Sequence, residues 1–256
     1  MRLLYTADLH YTLKQFDWVA AHAHEFGAVL IGGDLLDLAG RLDLDVQIAV
    51  VEKYLARISA DAPVLVTSGN HDGDHHTPAG ESAAAWLHQV KSPRVFVDGD
   101  SVELGGTTFT LCPWWDGPES RAELERQLAR AASPRPARWV WIHHAPPDRS
   151  PVSWTGKRFG GDEFLVEWIG RHSPDLVLSG HIHNAPFLEG GSWIDRIGAT
   201  WVFNPGRQIG PSPTCLTLDL DTLDAEWVSF NGVDVRRLGA AGPGPVSAAT
   251  GAAGAA

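Results

Sequence analysis

Residues 64 to 72 read Val64-Leu-Val-Thr-Ser-Gly-Asn-His-Asp72, a short apolar run that gives way at once to groups that turn the chain, carry protons or bind metal. Pro63 precedes the run and Gly69 ends it. A brief apolar stretch bounded in this way predicts a strand buried on both faces, as in a parallel sheet. Polar side chains at its exit then lie where α/β sheets bind ligands, beyond the carboxyl ends of the strands.

The same grammar recurs along the chain. Arg2 to Thr6 runs into A-D-L-H, Ala28 to Ile31 into G-G-D, Trp139 to Ile142 into H-H-A-P-P, and Leu176 to Leu178 into S-G-H-I-H. Between the first runs, Lys14 to Phe26 carries Phe16, Val19, Ala20 and Ala23 at helical spacing, and Asp43 to Ala60 carries Val46, Val50, Tyr54 and Leu55. Arg94 to Val97, Val102 to Leu104 and Thr107 to Leu111 predict short antiparallel strands, the last two joined at Gly105-Gly106. Ser120 to Ala132 predicts a helix with Ser120 as its N-cap and Glu123 completing a capping box. From Trp193 onward the pattern is β-rich. Strand-helix alternation without an internal linker predicts one α/β domain over residues 1–238. The small-residue stretch from Gly239 to Ala256 has little to bury and predicts a disordered tail.

Composition narrows the partners. The net charge is -11 and no cluster of Lys or Arg stands out, so a nucleic-acid backbone finds no footprint. Cys112 and Cys215 both sit in apolar runs, where free buried thiols are expected, and that fits a reduced, cytoplasmic setting. No stretch approaches the ~20 apolar residues of a membrane span, and Met1 leads into no signal-like segment. Neither a membrane partner nor secretion is expected.

Each polar strand end alone is a weak signal, but together they read D-x-H, G-D, G-N-H-D, H-H and G-H-x-H, each at a strand exit. In this order they resemble the signature of the calcineurin-like metallophosphoesterases. Asp8-Leu9-His10, Gly33-Asp34-Leu35-Leu36-Asp37, Gly69-Asn70-His71-Asp72 and Gly180-His181-Ile182-His183 match its blocks, and Asn204-Pro205-Gly206 matches a segment that often follows. The resemblance covers roughly Met1 to Gly206. It implies a four-layer sandwich of two mixed β-sheets flanked by helices, with two divalent cations (Mn, Fe or Zn, with Mn favoured) at the strand ends.

Position by position, the resemblance implies Asp8, His10 and His183 on one metal, Asn70, His181 and one further histidine on the other, and Asp34 bridging. Two divalent ions against two carboxylates leave the site about doubly positive, which suits a hydroxide and a phosphate. The further histidine is His143 or His144. His143, nearest the strand end, is the expected ligand; His144, with the H-x-P spacing of some relatives, is then a substrate contact. His71 is the expected proton donor to the leaving oxygen, positioned by Asp37. Asp72 reads as a turn residue, and Asp74, His75 and His76 as a solvated loop.

The expected reaction is hydrolysis of a small phosphodiester or phosphomonoester, the diester preferred, by a metal-bridging hydroxide. Leu38-Ala39 stand where protein phosphatases carry Arg-Gly. A nuclease and a catalytically silent binding scaffold are the alternatives. In the aperiodic insert from Asp148 to Gly161, Trp154, Lys157, Arg158 and Phe159 combine cations with aromatics, so Lys157 and Arg158 are candidate substrate contacts. Trp114-Trp115 wall the same pocket or pack in the core.

Overall fold

The computed structural model describes residues 1–239. The tail expected to be disordered lies, after Gly239, outside the described residues. The chain opens with β1 (Arg2–Thr6), α1 (Leu13–His22), β2 (Ala28–Gly32), α2 (Leu44–Asp61) and β3 (Val64–Thr67). A small two-stranded excursion, β4 (His75–His76) with β5 (Ser82–Ala83), leads to β6 (Val95–Phe96) and the hairpin β7 (Ser101–Leu104) and β8 (Thr107–Cys112). Then come α3 (Pro118–Ala131), β9 (Trp139–His143), α4 (Glu163–His172) and β10 (Leu176–Leu178). The described chain closes with β11 (Ile194–Ile197), β12 (Thr200–Phe203), β13 (Cys215–Asp219), β14 (Asp224–Ser229) and β15 (Gly232–Arg237).

One sheet has seven strands in the order β15-β14-β13-β1-β2-β3-β6, the other six in the order β11-β12-β10-β9-β8-β7. Both are mixed. In the first, β1, β2, β3 and β6 run parallel and β13 joins β1 antiparallel. In the second, β8, β9, β10 and β12 are parallel, with an antiparallel strand at each edge.

Strand side chains alternate between faces, and the layers follow from that period of two. Leu3, Tyr5, Leu30 and Leu65 share a core with Phe109, Val140, Ile142 and Phe203 across the two sheets. Their neighbours Leu4, Val29, Ile31 and Val66 pack instead against Phe16 and Val19 of α1 and Val51 and Leu55 of α2. Likewise Trp139 and Trp141 turn to Leu124 and Leu128 of α3 and to Leu165 and Trp168 of α4. Helices, sheet, sheet, helices is the expected four-layer sandwich. Both cysteines are buried and free, and no helix is long and apolar enough to cross a membrane among the described residues.

Three local expectations change. The segment around Arg94 to Val97 pairs parallel to β3, so it extends the first sheet rather than the hairpin. Helix α3 begins at Pro118, where a missing N–H costs nothing. Ser120 therefore sits inside the first turn, its hydroxyl accepting from Asp116 and Gly117 N–H, and the free N–H groups of Glu119 and Ser120 donate to Glu81 at 2.8 Å each. Glu123 turns away to Arg126 and Arg130. Finally, α2 buries Gln47, Val51, Leu55 and Ile58, one residue round from the Val46 and Val50 stripe. Gln47 is inside because its amide accepts from Asp37 N–H and donates to the carbonyls of Asp37 and Leu42.

Candidate metal centre

The exits of β1 and β2 are zipped together: the N–H groups of Asp8, His10 and Tyr11 donate to the carbonyls of Gly33, Asp34 and Leu35. To fit, Asp8, His10, Asp34 and His181 adopt φ of 57°, 41°, 53° and 65°. Residues with a Cβ seldom enter this left-handed region, and such strain persists only where the surroundings over-determine it. Here they do. His181 N–H donates to both Asp8 carboxylate oxygens at 3.1 and 3.0 Å, and His71 N–H donates to Asp34 Oδ1 at 2.8 Å.

The glycines of the G-N-H and G-H-x-H blocks have a direct cause. A Cβ on Gly69 would lie 2.2 Å from Asp34 Oδ1, and one on Gly180 would lie 2.5 Å from Asp8 Oδ2. The carboxylates pass where those side chains would be.

Three overlapping groups of ligand-type atoms result among the described residues, and two of them contain Asp34. Those of Asp8, His10, Asp34 and His183 lie within 4.8 Å of one another, as do those of Asp34, His144 and His181. Asp34 belongs to each of these two. Its Oδ2 is 3.5 Å from His10 Nε2 and 3.2 Å from His144 Nε2, and Asp8 Oδ1 is 3.2 Å from His183 Nε2. Asp8, Asp34 and His144 are buried.

Burial lowers His10 to about 4 against the pull of Asp34 and Asp8. Burial and the neighbouring His144 charge lower His181 to about 4 as well. Burial would also lower His144, but the Asp34 and Asp8 carboxylates overcome it and raise it to about 10. Burial acts against Asp34 ionising, yet His144 and the His71 N–H hold its carboxyl well below the usual range. Two buried carboxylates thus favour a proton on His144, which a cation bound there would have to displace. The donor set fits a metal on a second count. The buried Oδ1 of Asn70 and Nε2 of His144 have no hydrogen-bond partner among the described residues.

The choice between the adjacent histidines is corrected here. His143 does not join the cluster; its Nε2 lies 3.3 Å from Asp162 Oδ2, on the side of α4. His144 turns the other way, its Nδ1 2.7 Å from Gly32 carbonyl and its Nε2 toward Asp34 and Asp8. The cause is strand alternation. His143 shares the face of Trp139 and Trp141, packed on the helices, while His144 follows Val140 and Ile142 toward the mouth between the sheets.

His71 lies at the edge of the cluster, its ring edge-on to His10 with centroids 4.6 Å apart. Its Nδ1 accepts the Leu38 N–H at 3.3 Å, which puts the proton of the neutral ring on Nε2. Asp37 comes within 4.8 Å of His10 and His71 without hydrogen-bonding to His71; its Oδ1 accepts from Ala39 N–H. Asp72 does more than turn the chain. It accepts from the N–H groups of Leu35, Leu36 and Gly69 at 2.8 to 2.9 Å and so ties the Asp34 loop to the Asn70 loop. Burial and the Asp34 charge push its carboxyl up to about 8. His75 and His76 form the exposed β4 strand.

A cleft of about 490 Å³ opens beside His181, walled by Trp114, Trp115 and Phe164 and edged by Asp116, Asp148 and Glu163. Trp114 also packs on the cluster, 5.8 Å from the His144 ring and 5.5 Å from that of His181. Lys157 and Arg158 do not line this cleft. They are exposed on a turn pinned by Trp154 and Phe159, whose rings pair at 5.1 Å. A cation missed in the sequence, Arg207, stands nearer: its N–H donates to the carbonyl of His183. Its place directly after Asn204-Pro205-Gly206 was the available signal.

With this geometry in view, similarity to known proteins is informative. A family model described as calcineurin-like phosphoesterase matches residues 1–185. A protein of Invertebrate iridescent virus 3 named as a phosphoesterase, 078R, is 24% identical over 200 residues, which cover 71% of this chain and 53% of that protein. The chain thus spans about half the length of the curated relative it matches. Among solved structures, TT1561 of Thermus thermophilus aligns with a TM-score of 0.59 at 16% identity, covering 93% of this chain and 98% of that one. Purple acid phosphatase PPD1 from yellow lupin (Lupinus luteus) aligns at 0.55 and 14%, covering 93% and 51%. These structural likenesses are likenesses of fold.

Proposed function

Because the chain belongs to the calcineurin-like phosphoesterase family, we propose that it hydrolyses a small phosphodiester or phosphomonoester with the help of two divalent cations. The observation that carries this reading is Asp34, shared by two groups of ligand atoms at the meeting of the strand ends. In it, Asp8, His10 and His183 hold one cation, Asn70, His144 and His181 the other, and Asp34 serves both. His10 and His181, lowered to about 4, are neutral at physiological pH, the form in which imidazole ligates. Mixed nitrogen and oxygen donors suit Mn, Fe or Zn, and Mn is the cation of choice for assay.

When bound, such cations supply Lewis acidity, polarising a phosphoryl oxygen and lowering the pKa of the attacking water. The chain's own residues do the rest. His71 aims its Nε2–H at the leaving oxygen as a hydrogen-bond donor that stabilises the charge developing there, and the Leu38 N–H on Nδ1 fixes that tautomer. Asp37 orients the loop that carries this N–H, itself anchored through Gln47. The cleft beside His181 takes the substituent on phosphorus. Carboxylates edge it and no Lys or Arg among the described residues lines it, so a polyanionic nucleic-acid strand is a poor occupant and a compact ester a better one.

The test is turnover of bis-p-nitrophenyl phosphate and p-nitrophenyl phosphate by the Mn-loaded protein. At least one should be hydrolysed, and His71→Ala should cost about 10²- to 10³-fold in kcat while the metal content stays the same. No turnover of either ester with metal bound would sink the enzyme reading. Full activity in His71→Ala would remove His71 as the hydrogen-bond donor to the leaving oxygen.

A further inference from the structure

Arg207 sits in a loop near the candidate metal cluster that is hydrogen-bonded on both sides of it. Its backbone N–H donates to the His183 carbonyl at 2.9 Å. Just before it, the Asn204 amide donates to the carbonyls of Val152 and Ile182 and accepts from Gly206 N–H. Just after it, Gln15 of α1 donates to the carbonyls of Gln208 and Gly210 at 3.0 and 3.2 Å. The Gln208 amide in turn donates to Ser212 carbonyl and accepts from Phe230 N–H. Thr214 closes the loop by donating to Gly206 carbonyl.

Against this fixed backbone the guanidinium is unmatched. Its Nε is buried without a partner among the described residues. The ion pairs beside it run between Asp8 or Asp34 and the histidines, and none of the described carboxylates pairs with Arg207. Its charge reaches the cluster, since it helps to lower His10. A desolvated donor with no partner is costly to keep, and a rigid loop that keeps one is poised for an acceptor from outside the chain. Next to a cluster suited to cations, that acceptor is an anion. The planar, always charged fork of arginine fits two oxygens of a phosphate, where lysine offers a point charge.

We propose that Arg207 forms an oxyanion subsite at the mouth of the metal cluster and grips a phosphoryl oxygen of the substrate. This rests on the phosphoesterase reading above for its substrate class. Arg207 is then the cation that substrate meets, in place of Lys157 and Arg158.

The probe is inorganic phosphate, titrated calorimetrically into the Mn-loaded protein, with metal content measured on the same samples. Arg207→Gln should keep its metal and bind phosphate roughly 10- to 100-fold more weakly, the range for losing a hydrogen bond to a charged group. Arg207→Lys, which keeps the charge and loses the fork, should fall between the two. Phosphate binding in Arg207→Gln within about twofold of wild type, with metal retained, overturns the proposal. If Arg207→Gln does not fold, Arg207→Lys decides: affinity equal to wild type overturns the forked contact. Calorimetry separates this from the activity itself. A wild-type protein that hydrolyses neither nitrophenyl ester, beside a Gln variant that loses phosphate, fails as an esterase and keeps the oxyanion subsite. Hydrolysis by wild type with unchanged phosphate binding in the variant is the reverse.

Discussion

His143 and His144 are neighbours in the chain and opposites in the molecule. Both are fully buried, yet one faces the helices and meets Asp162, while the other faces the mouth between the sheets and meets Asp34 and Asp8. On the helix side, Asp162 also takes the indole N–H of Trp115 and the first free N–H groups of α4, so His143 belongs to a framework that holds the helix in place. Each ring keeps one buried nitrogen without a hydrogen bond, Nδ1 of His143 and Nε2 of His144, but that of His144 lies beside the Asp34 and Asp8 carboxylates. Burial does not distinguish a candidate ligand from a strut; an unsatisfied nitrogen beside two carboxylates does.

The largest expected effect separates these faces directly. His144→Asn should lose metal and at least about 10²-fold in kcat, beyond the usual cost of removing an outer partner of a metal ligand. His143→Asn should retain metal and turnover and instead lose about 1–3 kcal/mol of stability, seen as a lower Tm, because Asp162 is left one donor short. If His143→Asn sheds metal while His144→Asn keeps it, the assignment by strand face is wrong.

Acidity gives the next contrast. His10 and His181 have folded pKa values of about 4, below the unfolded 6.5, so between these values the unfolded chain holds more protons. Their contribution is complete above about pH 6.5 and falls away toward pH 4. His144 has the opposite sign: raised to about 10, it favours the fold fully below about pH 6.5 and loses that advantage as the pH climbs toward 10. The Tm of the protein stripped of metal by a chelator should therefore fall on both sides of a maximum near neutrality. Added Mn should blunt the alkaline limb, since it replaces the proton on His144. A Tm that rises steadily across the alkaline range would contradict the placement of His144.

The smallest effect is expected far from the mouth. Lys157 and Arg158 are exposed on their turn and line no part of the cleft. Replacing both with Gln should change kcat/KM by less than about twofold, in keeping with a solvated surface charge. A tenfold loss would return the insert to the substrate site.

What could be read in advance follows from how far each signal reaches along the chain. Strand exits at Thr6, Ile31, Thr67, Ile142 and Leu178 announce themselves by periodicity, and the residues just beyond them carry most of the cluster. The alternation that separates His143 from His144 was also present, in Trp139 and Trp141 against Val140 and Ile142. It assigned no ligand until it was known which face met the other sheet. Glu81 capping a helix 38 residues later, Asp72 holding Leu35 and Leu36, and Gln47 bracing Asp37 left no mark, because a single polar residue has no period. Arg207 escaped for a related reason: what sets it apart is a missing partner, and a sequence does not show which partners are missing.

The close passage of carboxylates over Gly69 and Gly180 bears on any attempt to move this centre to another protein. The side chains proposed as ligands are the portable part; the left-handed backbone at Asp8, Asp34 and His181 and the two bare Cα positions beneath the carboxylates are not. A recipient sheet carrying the side chains but an alanine at either glycine would have to splay its loops apart. The transplantable unit is therefore the crossing of loops, with the chelating groups as its last and easiest addition.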